Sequence, residues 1–162
     1  MTPTSIRFVR ADATLPQSQG KLIIAHVCND SGGWGRGFVT ALSRRWGEPE
    51  RAFRRWFAQR ETGDFALGAV QFVAVAPDVW VANMIGQHNI ARKSKPGPPP
   101  VRYEAIEIAL GTLGGKALEL GAKVQMPRIG CGLAGGQWEQ IEPLIVAQLC
   151  ARGVEVMVCD WE

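Results

Sequence analysis

The chain has 162 residues, of which 46% are hydrophobic and 20% charged, and it carries a formal net charge of +3. That length suits one folded domain with a real core, and the composition excludes a disordered chain. No apolar run approaches the ~18–20 residues of a membrane helix, and the N-terminus lacks the apolar stretch of a signal peptide. The expectation is therefore a soluble cytoplasmic protein, a single domain over residues 1–162, with no membrane partner and nothing that demands more than a monomer. Glycine is the outlier, with 19 residues against an average of about 7%. Four of them fall in residues 32–37 (GGWGRG) and four in residues 130–136 (GCGLAGG). Cys28, Cys131, Cys150 and Cys159 show no CxxC spacing and no paired histidines, so free thiols are expected, with no metal and no cofactor. The modest positive charge suits an anionic small ligand and does not require a nucleic acid.

Residues 6–10 alternate apolar and polar, the pattern of a half-buried strand. Residues 22–28 (LIIAHVC) are almost wholly apolar, which predicts a central strand covered on both faces. The first glycine cluster follows. Phe38, Leu42 and Trp46 then step by four, a helix that Gly47 can end. Pro49 suits the first turn of the next helix, whose apolar face is Ala52, Phe53, Trp56 and Phe57. Arg51, Arg54, Arg55 and Arg60 fall on its other side, a solvated face that can also attract a nucleic acid or a modified target.

Residues 68–75 and 79–85 read as a hairpin around Ala76-Pro77-Asp78. Residues 87–101, rich in proline, form a loop long enough to be functional. Tyr103, Ile106, Leu110, Leu113, Ala117 and Leu120 mark an amphipathic helix. A strand over 123–129 precedes the second glycine cluster. Trp138, Ile141, Ile145 and Leu149 mark a further helix, with Pro143 expected in its first turn, and 154–159 is a last strand. The order ββααββαβαβ predicts an α/β fold, a mixed sheet with helices on both faces.

Both glycine clusters follow a central-looking strand and precede a helix, where open α/β sheets bind ligands. Glycine there permits positive φ and lets backbone N–H groups approach an anion, and a helix N-terminus adds free donors. Two such loops facing each other make a clamp for a diphosphate. Gly130, Gly132 and Gly135 match GxGxxG, but only one strand follows, so a dinucleotide-binding Rossmann fold is not expected. No GxxxxGK[ST] occurs, which removes the P-loop.

The run Met126-Pro127-Arg128-Ile129-Gly130-Cys131-Gly132-Leu133, followed by Gln137-Trp138-Glu139, is the most specific motif of the chain. Together with Ala11-Asp12-Ala13-Thr14, the segment from His26 to Phe38 and the terminal Trp161, it resembles the macro domain, the ADP-ribose-binding module, in its terminal ADP-ribose protein glycohydrolase branch. The resemblance implies a three-layer α/β/α sandwich on a mixed sheet. It implies that Asp12, beside Ala13, accepts a hydrogen bond from the adenine amino group, as an acceptor-only carboxylate can, and that Trp161 contacts the base. Gly35, Gly37 and Phe38 of the first loop and Pro127, Ile129, Gly130, Cys131, Gly132, Leu133 and Ala134 of the second are then the diphosphate and far-ribose frame. Asn29 stands at the far ribose. Arg128 is read as structural, His26 as a core histidine and His88 as a solvated one.

Turnover is a separate question. Releasing ADP-ribose breaks a bond at an anomeric carbon through an oxocarbenium-like transition state. The glycohydrolase that the chain resembles uses a lysine and an aspartate, and Gln87 and Ala134 stand in their places. Asn29, Asp30 and Gln87 are the residues that can orient a water instead, with Arg92 or Arg102 supplied by the 87–102 loop. The expected function is hydrolysis of glutamate- or aspartate-linked ADP-ribosyl esters, with ADP-ribose or an ADP-ribosylated protein as partner. A reader without turnover and an ADP-ribose 1″-phosphate phosphatase are the alternatives.

Overall fold

An apolar strand without a polar face must be covered twice, and that requirement organises the molecule. In the computed structural model, which describes residues 5–90 and 97–160, β2 (Leu22–Asn29) lies inside a six-stranded sheet. The other strands are β1 (Arg7–Arg10), β3 (Val70–Ala76), β4 (Val79–Gln87), β5 (Lys123–Met126) and β6 (Val156–Asp160). Their order is β1-β6-β5-β2-β4-β3, parallel throughout except for β3, which runs antiparallel to β4 at one edge.

Successive side chains of a strand point to opposite faces, and the core divides accordingly. Ile23 and Ala25 of β2 with Ala82 and Met84 of β4 pack under α3 (Tyr103–Leu120) and α4 (Trp138–Gln148). Leu22, Ile24 and Cys28 with Val81 and Ile85 pack under α1 (Phe38–Arg45) and α2 (Glu48–Ala58), around the fully buried Phe53. The mixed sheet with helices on both faces is as the sequence predicts.

The boundaries differ in informative ways. β5 ends at Met126 rather than at Ile129, because Pro127 has no N–H to extend a ladder. Pro143 sits inside α4 rather than in its first turn. It is exposed there, as is Glu139 one turn earlier, so the carbonyl that loses its donor meets water. Residues 149–153 add a short 3-10 turn after α4, Cys150–Arg152. All four cysteines are free thiols. No helix among the described residues is long and apolar enough to cross a membrane.

One polar chain crosses this core. His26 Nε2–H donates to Asn83 Oδ1 at 2.6 Å, and the Asn83 amide donates to Gln71 Oε1 and to the Pro49 carbonyl of α2. Neighbouring strands and a helix are thereby joined with every buried polar side-chain atom satisfied among the described residues. Burial is the larger influence on His26 and pushes its pKa down to about 4, against a smaller opposing effect of the Asn83 bond. The native state therefore holds the ring neutral, while the unfolded chain protonates it near 6.5. The stability this provides is complete above pH 6.5 and is lost as pH falls towards 4. We expect the destabilisation caused by His26→Gln to shrink, on the order of 3 kcal/mol, between pH 7 and pH 4. Denaturant unfolding at both pH values reads the difference, and a cost independent of pH contradicts it.

Candidate functional site

A cleft of about 470 Å³ opens at the carboxyl ends of β2, β4 and β5. It arises from how the chain leaves two adjacent parallel strands. After β2 the chain turns towards α1 and α2 on one face, and after β5 it turns towards α4 on the other. Connections that diverge from neighbouring strands leave a crevice between them. The first glycine cluster forms one wall and the second forms the other.

The two loops come within contact distance. A Cβ added at Gly37 would stand 3.6 Å from Leu133 Cδ1, whereas one added at Gly35 or Gly132 would meet open space. α1 begins after Gly37 with no side-chain cap and no acidic residue in its first turn. The N–H groups of Gly35, Arg36 and Gly37 in one loop, and of Gly132, Leu133 and Ala134 in the other, have no acceptor among the described residues. Backbone donors without a partner on the walls of a cleft, with a helix N-terminus among them, attract an anion. The second loop is braced from behind: Gly135 N–H donates to the Gly132 carbonyl, Gly136 N–H to that of Gly130, and Val101 N–H to that of Ala134.

Of the residues singled out in the sequence, Asn29, Gly35, Gly37, Phe38 and Gln87 line the cleft on one side. Pro127, Ile129, Gly130, Gly132, Leu133 and Ala134 line the other. Cys131 belongs to the same loop but is not among the lining residues. Burial raises its thiol pKa, partly offset by Arg128, which leaves a poor nucleophile. Trp161 and Arg92 lie outside the described residues.

Asp12 and Ala13 follow β1, beyond the cleft lining, and Phe38 spans the gap by packing on Ala11, Ala13 and Cys159 while also lining the cleft. The Asp12 carboxylate accepts from the Thr14 N–H at 2.9 Å and the Thr14 hydroxyl at 2.7 Å, and Arg45 stands 3.6 Å away. Burial alone would raise its pKa; these hydrogen bonds and the guanidinium outweigh it and hold the group below the usual carboxylate value. An ionised carboxylate with lone pairs to spare is thus kept at the end of β1.

Arg128 also lines the cleft, but its guanidinium is engaged on the protein itself. Its guanidinium makes a two-point pair with Asp160 at 2.7 and 3.1 Å and lies between the rings of Phe8 and Trp138. Arg102 is likewise engaged, bonding the carbonyls of Pro99, Pro100 and Val101 in its own loop.

The polar residues at the far end divide into separate tasks. Asn29 Oδ1 accepts from Ser31 N–H, the Ser31 hydroxyl and Gly33 N–H, while Nδ2 donates to the Gly33 carbonyl, so this amide shapes the first loop. Gln87 Nε2 donates to the Asn89 carbonyl, leaving Oε1 for the cleft. Asp30 accepts from His88 Nδ1–H at 2.7 Å and from Asn89 N–H at 2.8 Å. His88 is exposed, as the sequence suggested, but its ring also pairs with Asp30. Its partner lies far away in sequence, and only the pairing of β2 with β4, which ends at Asn29 opposite Gln87, brings the two together. No spacing in the sequence signals that contact.

No family model matches the chain. A macrodomain protein from Streptomyces coelicolor is 57% identical over 96% of this chain and 99% of its own, with a TM-score of 0.85. A protein of unknown function from Bacteroides thetaiotaomicron is 49% identical over 96% of this chain and 98% of its own, with a TM-score of 0.91. Thermosipho africanus DarTG, solved in complex with ADP-ribose, shares the fold at 17% identity and a TM-score of 0.63, over 88% of this chain and 38% of that one. Among curated proteins, chromodomain-helicase-DNA-binding protein 1-like from Danio rerio is 31% identical over 93% of this chain. This chain spans only 15% of that relative's length.

Two neighbouring glycines test the loop geometry. Gly130 has φ +71°, and a Cβ there would lie 3.0 Å from Ile141 and 3.1 Å from Ile106. Gly132 has neither constraint. Thermal unfolding should show Gly130→Ala less stable by about 1–3 kcal/mol, and Gly132→Ala unchanged to within about 0.5 kcal/mol.

Proposed function

This chain belongs to the macrodomain family, and we propose that it binds ADP-ribose in the cleft and hydrolyses ADP-ribosyl esters of glutamate or aspartate side chains. The observation that carries the binding reading is the opposed pair of glycine loops, whose residues line a space large enough for a diphosphate and a ribose and whose N–H groups have no acceptor among the described residues. A backbone cradle suits a diphosphate because its donors are fixed before the ligand arrives, so little ordering cost is added on binding. Asp12, ionised and partly exposed, is the acceptor for the adenine amino group, and Phe38 connects that end to the cleft. Asp12, Ala13 and Trp161 are assigned to the base, Gly35, Gly37 and Gly130–Ala134 to the diphosphate and far ribose, with Pro127 and Ile129 behind them.

The chemistry follows from what the cleft does and does not contain. An ester leaves its carboxylate as a stable anion, so the leaving group needs no proton. What the reaction needs is an oriented water at the anomeric carbon. Gln87 Oε1 is available to accept a hydrogen bond from that water, and Asn29 holds the loop against which the far ribose rests. Neither Gln87 nor Ala134 can serve as nucleophile or base, which favours one other reading, a module that binds ADP-ribose without turnover.

Calorimetry should show ADP-ribose binding that Asp12→Ala weakens by roughly tenfold to a hundredfold, the worth of a hydrogen bond to a charged group. Gly132→Glu should abolish binding while the melting temperature stays close to wild type, since its side chain enters open space in the cleft. Undiminished affinity in the latter would refute the cleft assignment. Glutamate-linked substrate should release ADP-ribose and serine-linked substrate should not. Tight binding with no product from either leaves the reader without turnover.

A further inference from the structure

We infer that Ser43 and Glu50 are positioning residues of the first glycine loop, acting through Trp34 to hold its backbone donors in place before a ligand arrives; this rests on the ADP-ribose-binding reading above. Residues 32–37 (GGWGRG) carry only two side chains beyond glycine, those of Trp34 and Arg36. Glycine gives up more backbone freedom than any other residue when it is ordered. A loop of this composition needs an outside hold to keep one shape, and Trp34 supplies it.

Trp34 lines the cleft and is only 6% exposed. Its indole meets His26 edge-on, with 5.4 Å between ring centroids, and lies 5.2 Å from Phe53. Apolar contact fixes how deep the ring sits but has no direction of its own. Direction comes from the ring N–H. Trp34 Nε1–H donates to Ser43 Oγ of α1 at 2.7 Å, the Ser43 hydroxyl donates to Glu50 Oε1 of α2 at 2.9 Å, and Arg54 Nε donates to Glu50 Oε2 at 2.9 Å. An indole only donates, a hydroxyl has one proton, and a carboxylate only accepts, so the relay runs one way. It ends on a charge, because the bonds from Arg54 and Ser43 hold the Glu50 carboxyl below its ordinary pKa. A hydroxyl that donates to a carboxylate is a stronger acceptor for the indole.

The loop's other fastenings show what the relay controls. Asn29 grips the loop at Gly33, and the Thr40 N–H and hydroxyl grip it at the Gly37 carbonyl. Between those points, Trp34 is the one side chain bonded to another element among the described residues. Gly35, Arg36 and Gly37, whose N–H groups have no acceptor among the described residues, follow it directly. Cutting the relay moves the cost of ordering this stretch onto ligand binding.

Calorimetric ADP-ribose affinity, read well below the melting temperature, tests the relay. Trp34→Phe keeps a ring against His26 and Phe53 and loses the N–H. Affinity should fall about threefold to tenfold, up to the net worth of one hydrogen bond. Ser43→Ala should weaken binding equally, and the double variant no more than either single change, since all three break the same chain of bonds. Glu50→Gln keeps an acceptor for the Ser43 hydroxyl and should stay within about twofold of wild type, whereas Glu50→Ala should match Ser43→Ala. Leu113→Val, a trim of α3 in the core on the other face of the sheet, reads the effect of lower stability alone and should change affinity by less than about twofold. Backbone order parameters of Gly35 and Gly37 in the ligand-free protein should drop in Trp34→Phe. Losses below about threefold, losses that multiply in the double variant, unaltered order parameters or an equal loss in Leu113→Val each overturn the relay and leave the binding reading standing. Wild-type protein that binds no ADP-ribose overturns the binding reading and the relay's role together.

Discussion

Everything at this site depends on β2 running parallel between β4 and β5. Because both neighbours run in its direction, three carboxyl ends reach the same edge of the sheet. Because the sheet is covered on both faces, the connections after β2 and β5 must leave towards opposite sides. The crevice is the unavoidable gap between those departures. The apolar character of β2 and the position of the cleft are thus one fact seen at two scales.

The crevice is shaped by backbone more than by side chains. Its walls are loops in which glycines let the chain turn sharply and approach closely, and the free donors are main-chain N–H groups. Side chains brace this frame from outside. Arg128 is held by Asp160 and two aromatic rings, Tyr103 receives the Gln137 N–H through its hydroxyl, and Asn29 closes the first loop on Gly33. The walls are thus set mainly by backbone, whereas the polar side chains near the ends of β2 and β4, Gln87, Asp30 and His88, are engaged with one another's segments: Gln87 with the Asn89 carbonyl and Asp30 with His88 and the Asn89 N–H.

The contrast between Arg128 and His88 shows how far residue-level reading reaches. Arg128 lies in a loop whose amides need no cation, so a structural role follows from the loop itself, and the pair with Asp160 agrees. His88 offers no comparable local clue. Its meaning comes from Asp30, 58 positions away, through a register that shifts at Cys28 and Asn29. Boundaries behave similarly. Met126 ends β5 for the local reason that proline follows, whereas Pro143 survives inside α4 only because its side of that helix faces water, which no local rule states.

The amino-acid sequence by itself determined the element order, the two-sided burial of β2 and the placing of both glycine clusters after strands. Those properties are written in periodicity and in backbone permissiveness, which act over a few residues. Only the tertiary structure decided which strands are neighbours. That choice set the two loops within contact of each other, moved Asp12 to the far side of Phe38, and joined Asp30 to His88. Each depends on the register and adjacency of segments distant in the chain, fixed by the packing of the whole core rather than by any stretch of it.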